Sequence, residues 1–187
     1  MTIVVILIAV GVVLGLLLYL FNRLVRLRNE VNTGWSNIDV QLNRRSDLIP
    51  NLVEAVKAYA THEREVFERV TRARAAVNAA GSPVAAAAAT DVLGVALGGL
   101  FALAEAYPEL KASENFLHLQ EELVDTEDKI SAARRYYNAT VMAYNNAVQT
   151  FPSLLVAAPL GFRVREFFEA RDEDRQAVEV SFGRAAT

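Results

Sequence analysis

Apolar positions along this chain follow three different rhythms, and each predicts a different element. The first is continuous. In MTIVVILIAVGVVLGLLLYLFNR no charged side chain occurs from Met1 to Asn22, and the apolar run Ile3–Phe21 matches the roughly 20 residues a helix needs to cross a bilayer. Residues 1–22 are therefore expected to be a transmembrane anchor. A cleavable signal peptide would have a basic n-region, a shorter apolar core and a small-x-small cleavage site; no Lys or Arg precedes this run, and LLLYLFNRL holds no such site. Gly11 and Gly15 form a small-xxx-small pair, a candidate contact between two anchors, although glycine is common in spans in any case.

The second rhythm is a heptad. Steps of four and three from Val31 land on Val31, Trp35, Ile38, Leu42, Arg45, Ile49, Leu52, Val56, Tyr59, Glu63, Val66, Val70, Ala73, Val77 and Ala80, and all but Arg45 and Glu63 are uncharged. Such a seam predicts one long helix, coiled-coil-like in its packing against others, up to AAGSPV (79–84), where a glycine stop meets a Ser-Pro restart. Pro50 interrupts this run, and an interior proline removes a backbone hydrogen bond at a cost of about 3 kcal/mol. Because the seam passes Pro50 in phase, the expectation is a kinked but continuous helix whose freed Ser46 carbonyl is satisfied by water or a side chain. The bend would let the parts before and after it pack against different neighbours. In the alternative, Asp47 caps a new helix with Pro50 in its first turn. A further seam from Ser113 runs through Phe116, Gln120, Leu123, Glu127, Ile130, Arg134, Tyr137, Val141, Tyr144, Val148 and Phe151. Arg45, Glu63, Glu127 and Arg134 are the candidate polar contacts of these seams; the default reading makes them interhelical ion pairs or side chains reaching solvent.

The third rhythm is denser. VAAAAATDVLGVALGGLFALAEAY is apolar throughout, but Asp91 and Glu105 interrupt it, so a core helix is preferred over a second span. Beyond Phe151, Pro152 and Pro159 break the helical pattern, and the apolar run Leu154–Phe162 is too short to cross a bilayer. It can pack on the bundle, lie at the membrane surface or contact a neighbouring subunit, with the first as default. In the tail, Val178, Val180 and Phe182 alternate as a short extended segment would. The whole reads as all-α: an N-terminal transmembrane helix (1–22), a bundle of long antiparallel helices (23–153) and a C-terminal segment (154–187) packed on it or on a neighbour.

Composition narrows the function classes. The net charge is -3, so no global basic field exists to hold nucleic acid. There is no cysteine, which removes disulfides, thiolate metal sites and a cysteine nucleophile. Arg23, Arg26 and Arg28 follow the span at once, predicting the bundle on the cytoplasmic side and the N-terminus outside.

Candidate chemistry is sparse. THEREV (61–66) begins like a zinc motif but places Val66 where the second histidine belongs. The Glu-x-x-His pattern of di-metal bundles fails at both histidines, His62 and His118, which are preceded at that spacing by Tyr59 and Asn115. No phosphate loop or nucleophile elbow is present, and the NAT acceptor at Asn138 falls mid-helix on the expected cytoplasmic side. No catalytic residue, cofactor or metal is assigned.

The segments LVRLRNEVNTGWSNIDVQLNRRSDLIPNLVEAVKAYATHE (24–63) and EAYPELKASENFLHLQEELVDTEDKISAARRYYNATVMAYNNAVQTFPS (105–153), with the span, resemble the LemA family of bacterial membrane proteins. Matching positions include Trp35, Asn37, Asp39, Arg44, Arg45, Asp47, Pro50, Asn51, Glu105, Tyr107, Pro108, Glu127, Arg134, Tyr137, Asn138, Tyr144, Asn145, Phe151 and Pro152. The resemblance implies a single-span protein with a bundle of long helices and no established enzymatic activity; the Ala/Gly-rich stretch 79–100 departs most from the family pattern. The expected function is a non-enzymatic scaffold at the cytoplasmic face of a bacterial inner membrane, partnered by the lipid bilayer, by further copies of itself as a homo-oligomer and by other membrane proteins. The alternative is a membrane-shaping protein acting through ordered assembly. A third reading, an unrecognised enzyme or metal protein using His62, Glu63, Glu127 or nearby carboxylates, ranks last.

Overall fold

The computed structural model describes residues 1–168, and among these every regular element is helical. The first helix, α1, runs unbroken from Thr2 to Lys57, about 84 Å at 1.5 Å per residue. Its positions from Thr2 to Tyr19 are exposed, as befits a segment whose backbone bonds are all internal and whose side chains suit lipid. From Val31 onward the seam turns inward: Val31, Ile38, Leu42, Ile49, Leu52 and Val56 are buried.

The seam does not remain one helix to Ala80. Between Lys57 and Arg64 the chain turns, and α2 (Arg64–Asn78) folds back along α1, which places Lys57 over the Phe67 ring and Ser46 against Asn78. Tyr59 and Glu63 sit in that turn, exposed; Glu63 is thus not a seam residue. The heptad misleads here for a geometric reason. A hairpin brings the apolar stripes of both its helices onto one core, and this turn is of a length that resumes the count in phase.

The next helix, α3 (Pro83–Glu105), starts where Ser82 accepts a hydrogen bond from the Ala85 amide at 3.2 Å with Pro83 in the first turn, a cheap place for proline. It packs on α2 through a stripe including Ala86, Thr90, Leu93, Leu97 and Leu100. Both α1 and α3 are long and apolar enough to cross a membrane; α3 buries one face, 33% of its most apolar window, against its neighbours. After the short α4 (Pro108–Lys111), α5 (Glu114–Gln149) returns along α1 beyond its exposed N-terminal part. Close approach is possible because Gly34 faces α5: a Cβ there would stand 3.2 Å from the Tyr137 backbone. The α5 seam is buried at Phe116, Leu123, Ile130, Tyr137, Val141, Tyr144 and Val148. Phe151 falls outside it, 79% exposed, because the helix ends at Gln149 and Thr150 turns extended. A one-turn helix, α6 (Leu154–Ala157), then packs on α1 and α5. Val178, Val180 and Phe182 lie outside the described residues.

Pro50 lies inside α1 without ending it, so the separate helix capped by Asp47 does not form. The carbonyl that Pro50 leaves without an amide, that of Ser46, accepts instead from Arg74 Nε of α2 at 2.8 Å. The same Nε lies 3.1 Å from Ser46 Oγ, which itself donates to Asn78 Oδ1 at 2.8 Å. A half-buried carbonyl is costly to leave unpaired, about 1–3 kcal/mol, so the proline makes α1 dependent on α2. Replacing Arg74 with Met is expected to destabilise the full chain in detergent by about 1–3 kcal/mol, and by clearly less when Pro50→Ala restores an amide for Ser46. Thermal unfolding followed by circular dichroism measures both; equal losses in the two backgrounds would contradict the coupling.

Candidate functional site

Towards the membrane from Ser46, α2 no longer flanks α1, whose long partner there is α5. The third layer comes from the chain beyond α6. Residues 163–168 run extended along α5, antiparallel to it, held by two asparagines. Asn145 Nδ2 donates to the Arg165 carbonyl and its Oδ1 accepts from the Arg165 amide, both at 2.8 Å. Asn138 does the same for Phe168, both bonds at 2.9 Å. The spacing explains the fit. Seven residues of helix advance about 10.5 Å, and three residues of extended chain about 10 Å, so amides one heptad apart meet backbone groups three residues apart.

Between the clamps, Tyr137 donates its hydroxyl to the Glu166 carbonyl at 2.8 Å. Burial pushes this phenol above its ordinary value, with Arg165 opposing and Glu166 adding to the rise. Phe168 is fully buried; its ring stands 6.5 Å from Trp35, and the Arg134 guanidinium lies 4.8 Å above it. Trp35 also contacts Tyr137, at 6.0 Å. The strap thus gathers α1 and α5 around one phenylalanine.

The distal half offers a second feature, an open groove of about 1060 Å³ between α3 and α5. At its base Arg45 Nη1 meets Glu127 Oε2 at 2.7 Å, a largely buried guanidinium paired with a half-exposed carboxylate. Asp91, Glu121, Asp125 and Asp128 make the lining acidic. Outside it, Arg44 bonds Glu122 at 2.7 Å, and the hydrogen bond from Lys129 holds the Asp125 carboxyl below its usual range. These exposed pairs contribute little to stability.

The structure thus brings Arg45 and Glu127 together and sets Arg134 on the strap, while Glu63 stands apart in its turn. Around Gly11 and Gly15 no atom from another described part of the chain comes within 4 Å of where a Cβ would be, so among the described residues nothing covers that face of the anchor. His62 and His118 lie exposed on different elements. Among the described residues no group of three or more His, Cys, Asp or Glu could hold a metal ion. In the sequence Asn145 stands out only as part of the family pattern, and Asn138 as part of that pattern and of the NAT tripeptide. The signal for their role is the Tyr-Asn pair repeated one heptad apart, which sets each amide beside a buried seam tyrosine.

A family model described as the LemA family matches residues 34–182, and the chain belongs to that family. It is 28% identical over 181 residues to "Magnetosome protein MamQ" of Magnetospirillum gryphiswaldense, covering 83% of this chain and 66% of that protein. It is 26% identical, with the same coverage, to "Magnetosome protein MamQ 2" of Paramagnetospirillum magneticum. "Protein LemA" of Metamycoplasma hominis is 29% identical over 164 residues, 86% of this chain and 74% of that one. The chain thus spans just under two thirds of the length of the two MamQ relatives. Family and exposed apolar N-terminal helix together mark a membrane-associated protein.

Removing one clamp is expected to free the strap. Asn138→Ala should speed amide exchange in residues 163–168 by about one to two orders of magnitude, as loss of about 1–3 kcal/mol implies. It should also shift the emission of Trp35, the sole tryptophan, to the red; unchanged emission and exchange would refute the clamp. Because the folded Tyr137 value is raised, its stabilising contribution is complete below the ordinary pKa of about 10 and fades as pH rises through the folded value. An alkaline step in Trp35 emission that Tyr137→Phe abolishes is the expected signature.

Proposed function

We propose that this LemA-family protein is a membrane-anchored, non-enzymatic scaffold that self-associates or recruits partners, or both, at the cytoplasmic face of a bacterial inner membrane. The observation that carries the reading is the unbroken α1. The helix that enters the bilayer is the helix that forms the bundle's spine, so no flexible linker separates anchor from bundle. A rigid mast of this kind holds its surfaces at a set height and orientation. Those surfaces include the acidic groove between α3 and α5 and, inside the membrane, the bare face carrying Gly11 and Gly15.

The proposed orientation draws on Arg23, Arg26 and Arg28 beside the span and on Arg163 and Arg165, which the fold returns to the same end. Basic residues flanking a span favour the cytoplasmic side. A second reading, membrane shaping through ordered assembly, draws support from the exposed apolar side chains at the foot of the bundle; liposomes unchanged in size and shape by the reconstituted protein would remove it.

Native mass spectrometry of the full chain in nanodiscs is expected to show defined multimers, and affinity capture from the native membrane to return partner proteins. Monomers alone, with nothing captured, would overturn the scaffold reading. For orientation, a His62→Cys variant should react with an impermeant maleimide only after cells are opened; labelling of intact cells would reverse the topology.

A further inference from the structure

We propose that the elbow formed by Thr150–Gly161 inserts its exposed apolar side chains into the interfacial layer of the same bilayer that α1 crosses, giving the protein a second membrane attachment. The inference rests on the anchor reading and deepens it.

The elbow is two-sided. Ser153, Val156 and Ala157 are buried against the helices, whereas Phe151, Leu154, Leu155 and Leu160 turn outward, between 45% and 79% exposed. Four large apolar side chains on one short turn form a contiguous patch of the kind that marks a contact surface. Its position names the contact. Phe162, which closes the elbow, packs edge-on against Phe21 with ring centroids 6.0 Å apart, and Phe21 is the last residue of the anchor's apolar run. The Arg28 guanidinium lies 5.3 Å from the same Phe162 ring. The patch therefore stands near the level of Phe21, where the hydrocarbon core ends; the anchor residues before it, such as Leu17 and Leu18, are exposed within the chain and clothed by lipid once α1 is inserted.

Chemistry agrees with depth. Apolar side chains below and a collar of Arg23, Arg26 and Arg163 above make the pattern of an interfacial segment, which sinks its apolar face to the headgroup boundary and leaves cations among anionic headgroups. The run is too short to span, so it lies in the interface. Two attachments on one rigid body set the tilt of the bundle, which an anchor alone leaves free to vary.

Because the chain has no cysteine, single-cysteine variants Leu155→Cys, Leu160→Cys, Leu14→Cys and Val95→Cys of the full chain can carry one environment-sensitive fluorophore each. They are reconstituted in nanodiscs of phosphatidylcholine and phosphatidylglycerol, with and without brominated acyl chains. Leu14 lies within the span, and Val95 is 76% exposed on distal α3. The expected result is bromine quenching at Leu155 and Leu160 at least about three-fold that at Val95, the behaviour of side chains sunk in the interface, with strong quenching at Leu14. Strong quenching at Leu14 with Leu155 and Leu160 no different from Val95 overturns the elbow and leaves the anchor standing. Absence of quenching at Leu14 overturns the anchor itself and the elbow with it. Disulfide-linked dimers of the unlabelled Leu155→Cys variant, together with no quenching of the labelled one, would give the patch to a second copy and overturn the lipid assignment.

Discussion

One carbonyl organises the distal half of this protein. Pro50 has no amide to offer Ser46, and a helix that must remain continuous from membrane to tip cannot leave that oxygen bare. Arg74 supplies the missing donor from the neighbouring helix, and Ser46 and Asn78 extend the contact on either side. A local defect in α1 thereby becomes a specification of where α2 must lie. Hydrophobic seams are slippery along their length, since one heptad resembles the next. A directional bond to a single position sets the register that apolar packing leaves degenerate.

The proximal half meets a different constraint with a similar device. Two helices alone bury too little, and α2 and α3 do not reach this far. An extended strap takes the third place, and its backbone polar groups need partners that a helix face does not ordinarily provide. Asn138 and Asn145 provide them, each presenting a donor and an acceptor as a neighbouring β-strand would. The match between a heptad of helix and three residues of strand lets one repeat serve both. Phe168 then fills the space among Trp35, Tyr137 and Arg134, so polar clamp and apolar wedge act on the same pair of helices.

Both devices tie one element to another by directional bonds, and those ties are what join the fold to the proposed role. The elbow that carries the strap back from α5 is also the part of the bundle nearest the end of the anchor. Clamping the strap therefore holds the elbow in place, and the apolar side chains it exposes remain on the level of Phe21. Packing at the foot of the bundle and attachment to the membrane are two consequences of the same short segment.

Read alone, the sequence determined the anchor, the all-α class and most of the residues that line the seams of α1 and α5, because uninterrupted apolarity and a seven-residue period are properties of the chain itself. It also determined that Pro50 would leave Ser46 in need of a donor. The identity of that donor was decided by the tertiary structure, since Arg74 becomes a neighbour of Ser46 only after the chain reverses at 58–63. The period does not show that reversal, because the seam resumes in phase across it, so Glu63 falls on a seam position of the sequence and stands in a turn of the structure. The partners of Asn138 and Asn145 were equally out of reach: an amide on a helix face has no legible purpose until a strand arrives. Periodicity is written locally, whereas the pairing of directional polar groups depends on which distant segments the packed core brings together.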